Sequence, residues 1–126
     1  MHGLIHLAMA GIIGAVAVSA ENSTIKCAKG LKMFVSRGTG ELTELGETKA
    51  LVDNIAKQID GSNIQPILYP ASFDDPVYMV SVSNGTRLVR KAITEYAKAC
   101  PDSKMALFGY SQVETMIILI SGGIEC

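Results

Sequence analysis

The sequence predicts an α/β domain in which a mostly parallel sheet carries helices on both faces. Three short apolar runs are typical of buried strands, and longer segments between them place apolar residues at helical spacing. Strands that alternate with helices are joined by right-handed crossovers, which make neighbouring strands parallel. With 126 residues, of which 48% are hydrophobic, the chain has room for one domain with one core.

The predicted strands cover residues 31–35, 64–69 and 104–108. The first is a largely apolar run closed by the glycine-rich loop 36–40, as expected for a buried strand. Pro66 lies inside the second run. Because proline has no N–H to donate to a neighbouring strand, we expect the second strand at a sheet edge or with a late start.

The predicted helices cover residues 44–59, 80–100 and 113–120. In the second of these, Ser83 or Asn84 is available as the N-cap. The third segment contains enough β-branched residues for a strand, but it follows the last predicted strand directly, where a helix should come. We therefore favour a helix there.

The beginning of the chain has the pattern of a secretory signal peptide. Residues 4–20 are almost wholly apolar and end in small residues at Ala20, where signal peptidase could cleave. Residues 1–20 are therefore predicted to be a signal, and the mature protein to be secreted with no membrane segment. A membrane anchor is the alternative, but the run is shorter than the ~20 residues that span a bilayer. His2 and His6, the only histidines, would leave with the signal.

The charged side chains show no pattern typical of a protein that binds nucleic acid or an anionic membrane. The 11 Lys and Arg residues nearly balance the 12 Asp and Glu residues, and they are scattered without blocks. This pattern argues against nucleic acid or an anionic membrane as a partner. The sequence also shows no metal-ligand cluster, phosphate loop or cofactor motif, so neither a metal nor a cofactor is expected.

Ser111 is the candidate nucleophile. It follows the third apolar strand in the run Gly109-Tyr110-Ser111-Gln112. A nucleophile elbow needs this order, because the strand delivers the serine to a tight turn at the carboxyl edge of the sheet. The spacing fits G-x-S-x-G except that Val113 stands in place of the second glycine. Taken alone, a serine in such a turn is more often a cap or an ordinary loop residue.

The stretch from Cys27 to Gln112 as a whole resembles the cutinase and acetylxylan esterase family of secreted serine esterases. Several motifs match in the right order over most of the chain. They are Cys27, Arg37-Gly38-Thr39-Gly40-Glu41, Tyr69-Pro70-Ala71, Asn84-Gly85-Thr86, Cys100-Pro101-Asp102-Ser103 and Gly109-Tyr110-Ser111-Gln112.

The resemblance implies a role for each matching position. Ser111 matches the nucleophile, Gln112 the residue whose backbone N–H forms half of the oxyanion hole, and Thr39 the hydroxyl-bearing residue that supplies the other half. Donors at the ends of adjacent strands can converge on one point and stabilise a developing oxyanion. Cys27 and Cys100 match a family disulfide, which would leave Cys126 as an odd cysteine.

The resemblance also implies what is missing. Residues 21–112 correspond to the N-terminal portion of a cutinase-like α/β-hydrolase sheet whose later strands are missing, and residues 113–126 to a divergent tail. In the family, the general-base histidine and its aspartate follow the serine on later loops, and neither is present here. The acidic pair Asp74-Asp75 cannot replace an imidazole at neutral pH without a strongly raised pKa. We therefore expect this chain to be inactive as written, the more so because Val113 is expected to push the turn open.

Two functional hypotheses follow. The first is a secreted serine esterase that hydrolyses carboxylic esters of plant cell-wall polymers, either cutin or acetylated xylan, with Tyr69-Pro70-Ala71 favouring the polysaccharide branch. The alternative is a non-catalytic secreted protein that uses part of the esterase fold for binding. Asn22 and Asn84 are glycosylation acceptors by pattern, although Asn84 could equally serve as a helix cap.

Overall fold

The described part of the protein is built around a three-stranded parallel sheet. The computed structural model describes residues 24–121, with side chains as far as residue 116. In chain order the elements are β1 (Leu31–Ser36), α1 (Lys49–Gln58), β2 (Asn63–Pro66), α2 (Tyr78–Ala99), β3 (Lys104–Gly109) and α3 (Gln112–Ser121). The strands form a parallel sheet in the order β2-β1-β3. The predicted fold class is confirmed, while the predicted signal peptide and Asn22 lie outside the described residues.

The alternation of side chains along β1 explains why helices cover both faces of the sheet. Phe34 points to one face and is fully buried in a cluster with residues of α2 and α3. Met33 and Val35 point to the other face and pack with Val52 of α1. Successive side chains of a strand point to opposite faces of the sheet. Because the side chains on both faces of this central strand are apolar, both faces are covered by helices that exclude water.

Strand β2 is shorter than the predicted strand at 64–69. The N–H of Ile67 still donates to the carbonyl of Val35 over 2.7 Å, but the N–H of Tyr69 then turns back to the carbonyl of Ile67. The chain leaves the sheet directly after Pro66, which cannot donate to a ladder. The edge position that Pro66 suggested is confirmed for the described sheet.

Helix α1 begins five residues later than predicted, at Lys49 instead of Glu44. A single 3₁₀ turn over Gly46–Thr48 precedes it. Gly46 has a φ of 53°, in the left-handed region, so the chain cannot be α-helical through this point. The carboxylate of Glu41 accepts a hydrogen bond from the N–H of Glu47 at 2.7 Å and holds this segment as a loop.

Helix α2 begins earlier than predicted, at Tyr78, with Val77 as the N-cap residue. The predicted cap at Ser83 or Asn84 is therefore wrong, because both residues lie inside the helix. The N–H of Tyr78 is satisfied by the carbonyl of Phe73 at 2.9 Å, so a side-chain cap is not needed at this end. Helix α3 confirms the helix that was favoured over a strand for residues 113–120.

A disulfide between Cys27 and Cys100 joins the segment before β1 to the end of α2. It confirms the pairing that the family resemblance implied. The two cysteines are separated by 73 residues, so the bond closes a loop that contains β1, α1, β2 and α2. Within residues 24–121, no helix is both long enough and apolar enough to cross a membrane.

Candidate active site

Ser111 lies in the turn between the end of β3 and the beginning of α3. Its φ is 59°, in the left-handed region, and the residue is exposed. A non-glycine residue in this region costs about 1–3 kcal/mol and persists only where the surroundings hold it. The N–H of Glu114 donates to the carbonyl of Ser111 at 2.9 Å and closes the turn into α3. Strand, strained serine and helix together have the geometry of a nucleophile elbow.

Val113 packs against Gly109 without opening this turn. Val113 is fully buried, and a Cβ at Gly109 would lie only 2.0 Å from its Cγ1 atom. The side chain of Val113 occupies space beside Gly109 that a glycine at position 113 would leave empty. It fits there because Gly109 has no side chain. We expected Val113 to push the turn open. That expectation is wrong for the backbone of the turn, because Ser111 has the left-handed φ of a nucleophile elbow.

The side chain of Gln112 anchors the first residue of α3. Gln112 is fully buried, its Oε1 accepts from the hydroxyl of Ser81 at 3.2 Å, and its Nε2 donates to the carbonyl of Ser72 at 3.2 Å. The Ser81 hydroxyl in turn accepts from the N–H of Ser72 at 3.0 Å. This closed ring ties α3 to α2 and to the loop after β2. The backbone N–H of Gln112 is not a donor in any described backbone hydrogen bond of the turn, so it is available to a ligand.

Thr39 lies on the loop after β1, at the same edge of the sheet as Ser111. Ser36 at the end of β1 pairs in register with Gly109 at the end of β3, so both loops leave the sheet side by side. They are in contact, because a Cβ at Gly38 would lie 3.2 Å from the carbonyl oxygen of Tyr110. The carboxyl ends of adjacent parallel strands therefore bring the Thr39 loop and the serine turn together.

Hydrogen bonds to its backbone fix the shape of the Thr39 loop. The carboxylate of Glu41 accepts from the N–H of Gly38, and the N–H of Gly40 donates to the carbonyl of Ala71 at 2.8 Å. Ala71 has a φ of 49°, which makes it the second non-glycine residue with a left-handed backbone in the described chain. Both strained residues, Ala71 and Ser111, lie at this edge of the sheet, as is common near functional sites.

Tyr69 and Arg37 hold the Thr39 loop in place, a role that the sequence motifs containing these residues did not indicate. The hydroxyl of Tyr69 donates to the carbonyl of Arg37, and the Arg37 guanidinium lies 5.4 Å from the centre of the Tyr69 ring. The guanidinium also donates to the carbonyls of Glu41 and Pro70. Burial raises the pKa of Tyr69 to about 12, although the positive charge of Arg37 acts in the opposite direction.

A groove of about 490 Å³ runs beside Thr39 and ends at the loop after β2. Arg37, Phe73, Asp74 and Asp75 are among the residues that line it. Phe73 is 67% exposed, so an apolar ring faces the groove entrance. Asp74 and Asp75 are exposed, as expected for charged side chains on a solvated loop.

The described residues include the candidate nucleophile and the candidate oxyanion-hole residues but no imidazole. His2 and His6 are the only histidines in the sequence, and both precede residue 24. In residues 24–121 no group of three His, Cys, Asp or Glu side chains could hold a metal ion.

The Asn84-Gly85-Thr86 segment lies in the middle of α2, so it does not open the helix. A Cβ at Gly85 would lie 2.3 Å from Met116 Cε, so this glycine allows α2 and α3 to approach closely. The hydroxyl of Thr86 is buried and donates to the carbonyl of Val82 at 2.9 Å. The match of this segment to the family motif is thus explained by packing, and glycosylation of Asn84 stays a prediction.

The parallel sheet and the serine turn define an α/β-hydrolase fold, and comparisons with known proteins agree. A family model described as Cutinase matches residues 27–121. Carboxylesterase Culp1 of Mycobacterium tuberculosis is 37% identical over 92 residues, which is 71% of this chain and 41% of the relative. Acetylxylan esterase 2 of Talaromyces purpureogenus is 30% identical over 118 residues, which is 88% of this chain and 50% of the relative.

Solved structures show the same likeness. The catalytic core domain of acetyl xylan esterase from Trichoderma reesei matches with a TM-score of 0.67 and 28% identity over 73% of this chain and 47% of its own. A cutinase-like protein from Cryptococcus sp. shares the fold with a TM-score of 0.66 at 20% identity, over 80% of this chain and 50% of its own.

The chain belongs to the cutinase family, as the sequence motifs predicted. It spans about half the length, or less, of these relatives. The family match runs past residue 112, although the domain bounds at 21–112 and 113–126 stay predictions.

Proposed function

We propose that this chain carries the nucleophile and the oxyanion hole of a secreted serine esterase that hydrolyses carboxylic esters of plant cell-wall polymers. The observation that carries the proposal is the left-handed φ of 59° at Ser111, which exposes the serine at the carboxyl edge of a parallel sheet. A serine in an ordinary loop is not expected to adopt this left-handed backbone, because the conformation costs free energy.

The proposed reaction passes through an acyl-enzyme. The Oγ of Ser111 attacks the carbonyl carbon of the ester, and the developing oxyanion accepts hydrogen bonds from the backbone N–H of Gln112 and from Thr39. A base takes the Oγ proton and passes it to the departing alcohol as the tetrahedral intermediate collapses, which leaves the acyl group on Ser111. Water then attacks this acyl-enzyme and releases the acid. Fixed donors of this kind are worth about 3–4 kcal/mol of barrier each. The buried ring that holds Gln112 supports its role, since it fixes the position of this N–H before a substrate binds.

The proton of Ser111 needs an acceptor, and the described residues contain no imidazole that could take it. With neither histidine of the sequence among residues 24–121, we propose that the chain as written does not turn over esters by itself. An imidazole supplied from outside should then restore part of the chemistry, because the hydroxyl is exposed and a small base can reach it.

The proposed substrate class is an ester of acetylated xylan or of cutin. Names among the relatives, such as acetylxylan esterase, favour the polysaccharide ester. The test is acetate release from acetylated xylan against hydroxy fatty acid release from cutin, by the full chain with added imidazole, after subtraction of the rate of a Ser111→Ala variant. We expect a small Ser111-dependent release of acetate, and no Ser111-dependent release from either polymer would refute the esterase proposal.

The second candidate function is non-catalytic binding of a wall polymer. The absence of histidine from residues 24–121 favours it, and the groove beside Thr39 offers a surface. Pull-down of the full chain with insoluble acetylated xylan or cutin distinguishes the two functions. Binding that equals that of Ser111→Ala, together with no imidazole-dependent hydrolysis, would support the binding function.

Secretion is part of the proposal and has its own test. The disulfide between Cys27 and Cys100 supports it, because such bonds persist in oxidising compartments. Expression of the full chain in a secreting host should give a product in the medium that begins at Glu21. A product retained in the cell with residues 1–20 attached would contradict this.

A further inference from the structure

A basic groove lies at the opposite edge of the sheet from Ser111. It has a volume of about 480 Å³ and borders the amino ends of β1 and β2. Its polar lining comes from Thr24, Lys26, Lys29, Lys32, Ser62, Asn63 and Gln65. Three lysines, two hydroxyls and two amides thus line the groove, and no carboxylate is among the described residues that line it. This composition suits a ligand that accepts hydrogen bonds and carries negative charge.

Lys32 is the unusual member of this group, because it is only 7% exposed. Its Nζ donates to Asn63 Oδ1 at 2.5 Å, across the register pair that joins β1 to β2. The same ammonium lies 5.4 Å from the centre of the Phe34 ring and 5.1 Å from that of Tyr96. These neighbours hold the charge in place, but none of them is an anion.

The ammonium of Lys32 therefore has no counter-charge in the described chain. The ion pairs among residues 24–116 join Lys49 to Asp53 and Lys91 to Glu95. Burial lowers the pKa of Lys32, with Tyr96 acting in the opposite direction. A buried charge without a partner is costly, and an anion that entered the groove would offset that cost. The exposed Lys26 and Lys29 would add attraction at the mouth.

We propose that this groove binds an oxyanion, with Lys32 as its inner ligand and Lys26 and Lys29 as outer ligands. The oxyanion is either free in solution or carried as a carboxylate on an acidic polysaccharide. The site lies at the amino edge of the sheet, so it is independent of Ser111 and of the proposed esterase function. It would hold the protein near an acidic polymer while the opposite edge stays open.

Titration of the full chain with inorganic phosphate tests the site, with the backbone amide signals of Lys29 and Asn63 followed by NMR. We expect saturable shifts, and Lys32→Met should weaken binding about tenfold or more, because one charge-assisted hydrogen bond is lost. Lys57→Met is the matched control, since Lys57 is an exposed lysine on α1 away from the groove. An absence of saturable shifts, or equal weakening by both variants, would overturn the proposal.

A second variant keeps the test decisive if Lys32→Met does not fold. Asn63→Asp places a carboxylate beside the ammonium at the position of the existing hydrogen bond. This internal anion should abolish phosphate binding while leaving the protein folded, and unchanged binding would contradict the site.

Oligogalacturonate and neutral xylo-oligosaccharide distinguish the two sources of the anion. Tighter binding of oligogalacturonate than of phosphate supports a polymer-borne carboxylate, tighter binding of phosphate supports a free anion, and equal binding of the neutral sugar refutes an anion site.

Discussion

The hydroxyl of Ser81 donates a hydrogen bond to the side-chain Oε1 of Gln112 over 3.2 Å, and both residues are fully buried. This contact joins α2 to the first residue of α3, directly after Ser111. The same hydroxyl accepts from the N–H of Ser72, so one side chain connects three segments of the chain. The position of the Gln112 N–H, half of the proposed oxyanion hole, thus depends on a serine in a different helix.

Ser81→Ala should destabilise the protein by about 1–3 kcal/mol, because it removes a hydrogen-bond partner from the buried Oε1 of Gln112 and from the partly buried N–H of Ser72. Urea unfolding followed by circular dichroism measures the change. Ser83→Ala is the matched control, as an exposed serine of the same helix, and should change stability by less than about 0.5 kcal/mol. Equal midpoints for the two variants would show that the buried ring is energetically unimportant.

Gly109→Ala should be strongly destabilising, because its Cβ would lie 2.0 Å from Val113 Cγ1. Overpacking of this kind costs about 1–3 kcal/mol or more when the neighbour cannot move away. A double-mutant cycle with Val113→Gly tests the cause, since the smaller residue removes the clash. The cost of Gly109→Ala, measured by urea unfolding, should be much smaller in the Val113→Gly background. Additive effects would contradict a direct contact between the two positions.

Local patterns in the sequence predicted the order of the elements, because the strands are short apolar runs and α1 and α2 place apolar residues at helical spacing. Strand β1 and helix α3 were predicted nearly to the residue, and the order of strand, serine and helix predicted the turn that holds Ser111. The starts of α1 and α2 were missed because contacts with residues outside the helices set them. Glu41 holds the loop before α1, and the carbonyl of Phe73 satisfies the first N–H of α2.

The supports of the candidate site were not predictable from the sequence for a similar reason. Nothing in the local pattern around Ser72 or Ser81 indicates that they meet Gln112, which lies more than thirty residues away along the chain. The same holds for the bond from Tyr69 to the carbonyl of Arg37. The motifs located the residues proposed to contact the substrate, and the structure was needed to find the residues that hold them.

Removal of the disulfide should lower stability by about 4 kcal/mol, because Cys27 and Cys100 close a loop of 73 residues. The measurement is urea unfolding of a variant with both cysteines changed to alanine, compared with the oxidised protein. A loss below about 1 kcal/mol would indicate that the unfolded chain is already restricted by other contacts.

Tyr69 should make the protein less stable at alkaline pH. Its folded pKa is raised to about 12 from an ordinary value of 10.0, so the folded state keeps the proton where the unfolded state loses it. Stability from this group is present below about pH 10 and is lost as the pH rises towards 12, by at most about 2–3 kcal/mol. This loss of stability is measured by comparing the unfolding free energies of wild type and Tyr69→Phe at pH 9 and at pH 11. The contributions of the other titrating groups cancel in the difference between the two proteins. The gap between the two proteins should shift in favour of Tyr69→Phe as the pH rises, and a constant gap would contradict the burial of the phenol.

Covalent labelling by a fluorophosphonate probe tests the role of Ser111 most directly, with mass spectrometry to locate the adduct. Without an added base, wild type should be labelled no faster than Ser111→Ala, since no imidazole lies among residues 24–121 to accept the proton. Added imidazole should speed labelling of wild type at Ser111 and leave Ser111→Ala unchanged. Rapid labelling of Ser111 without imidazole would show that another group acts as the base. If imidazole also speeds the labelling of Ser111→Ala, then Ser111 is not the nucleophile.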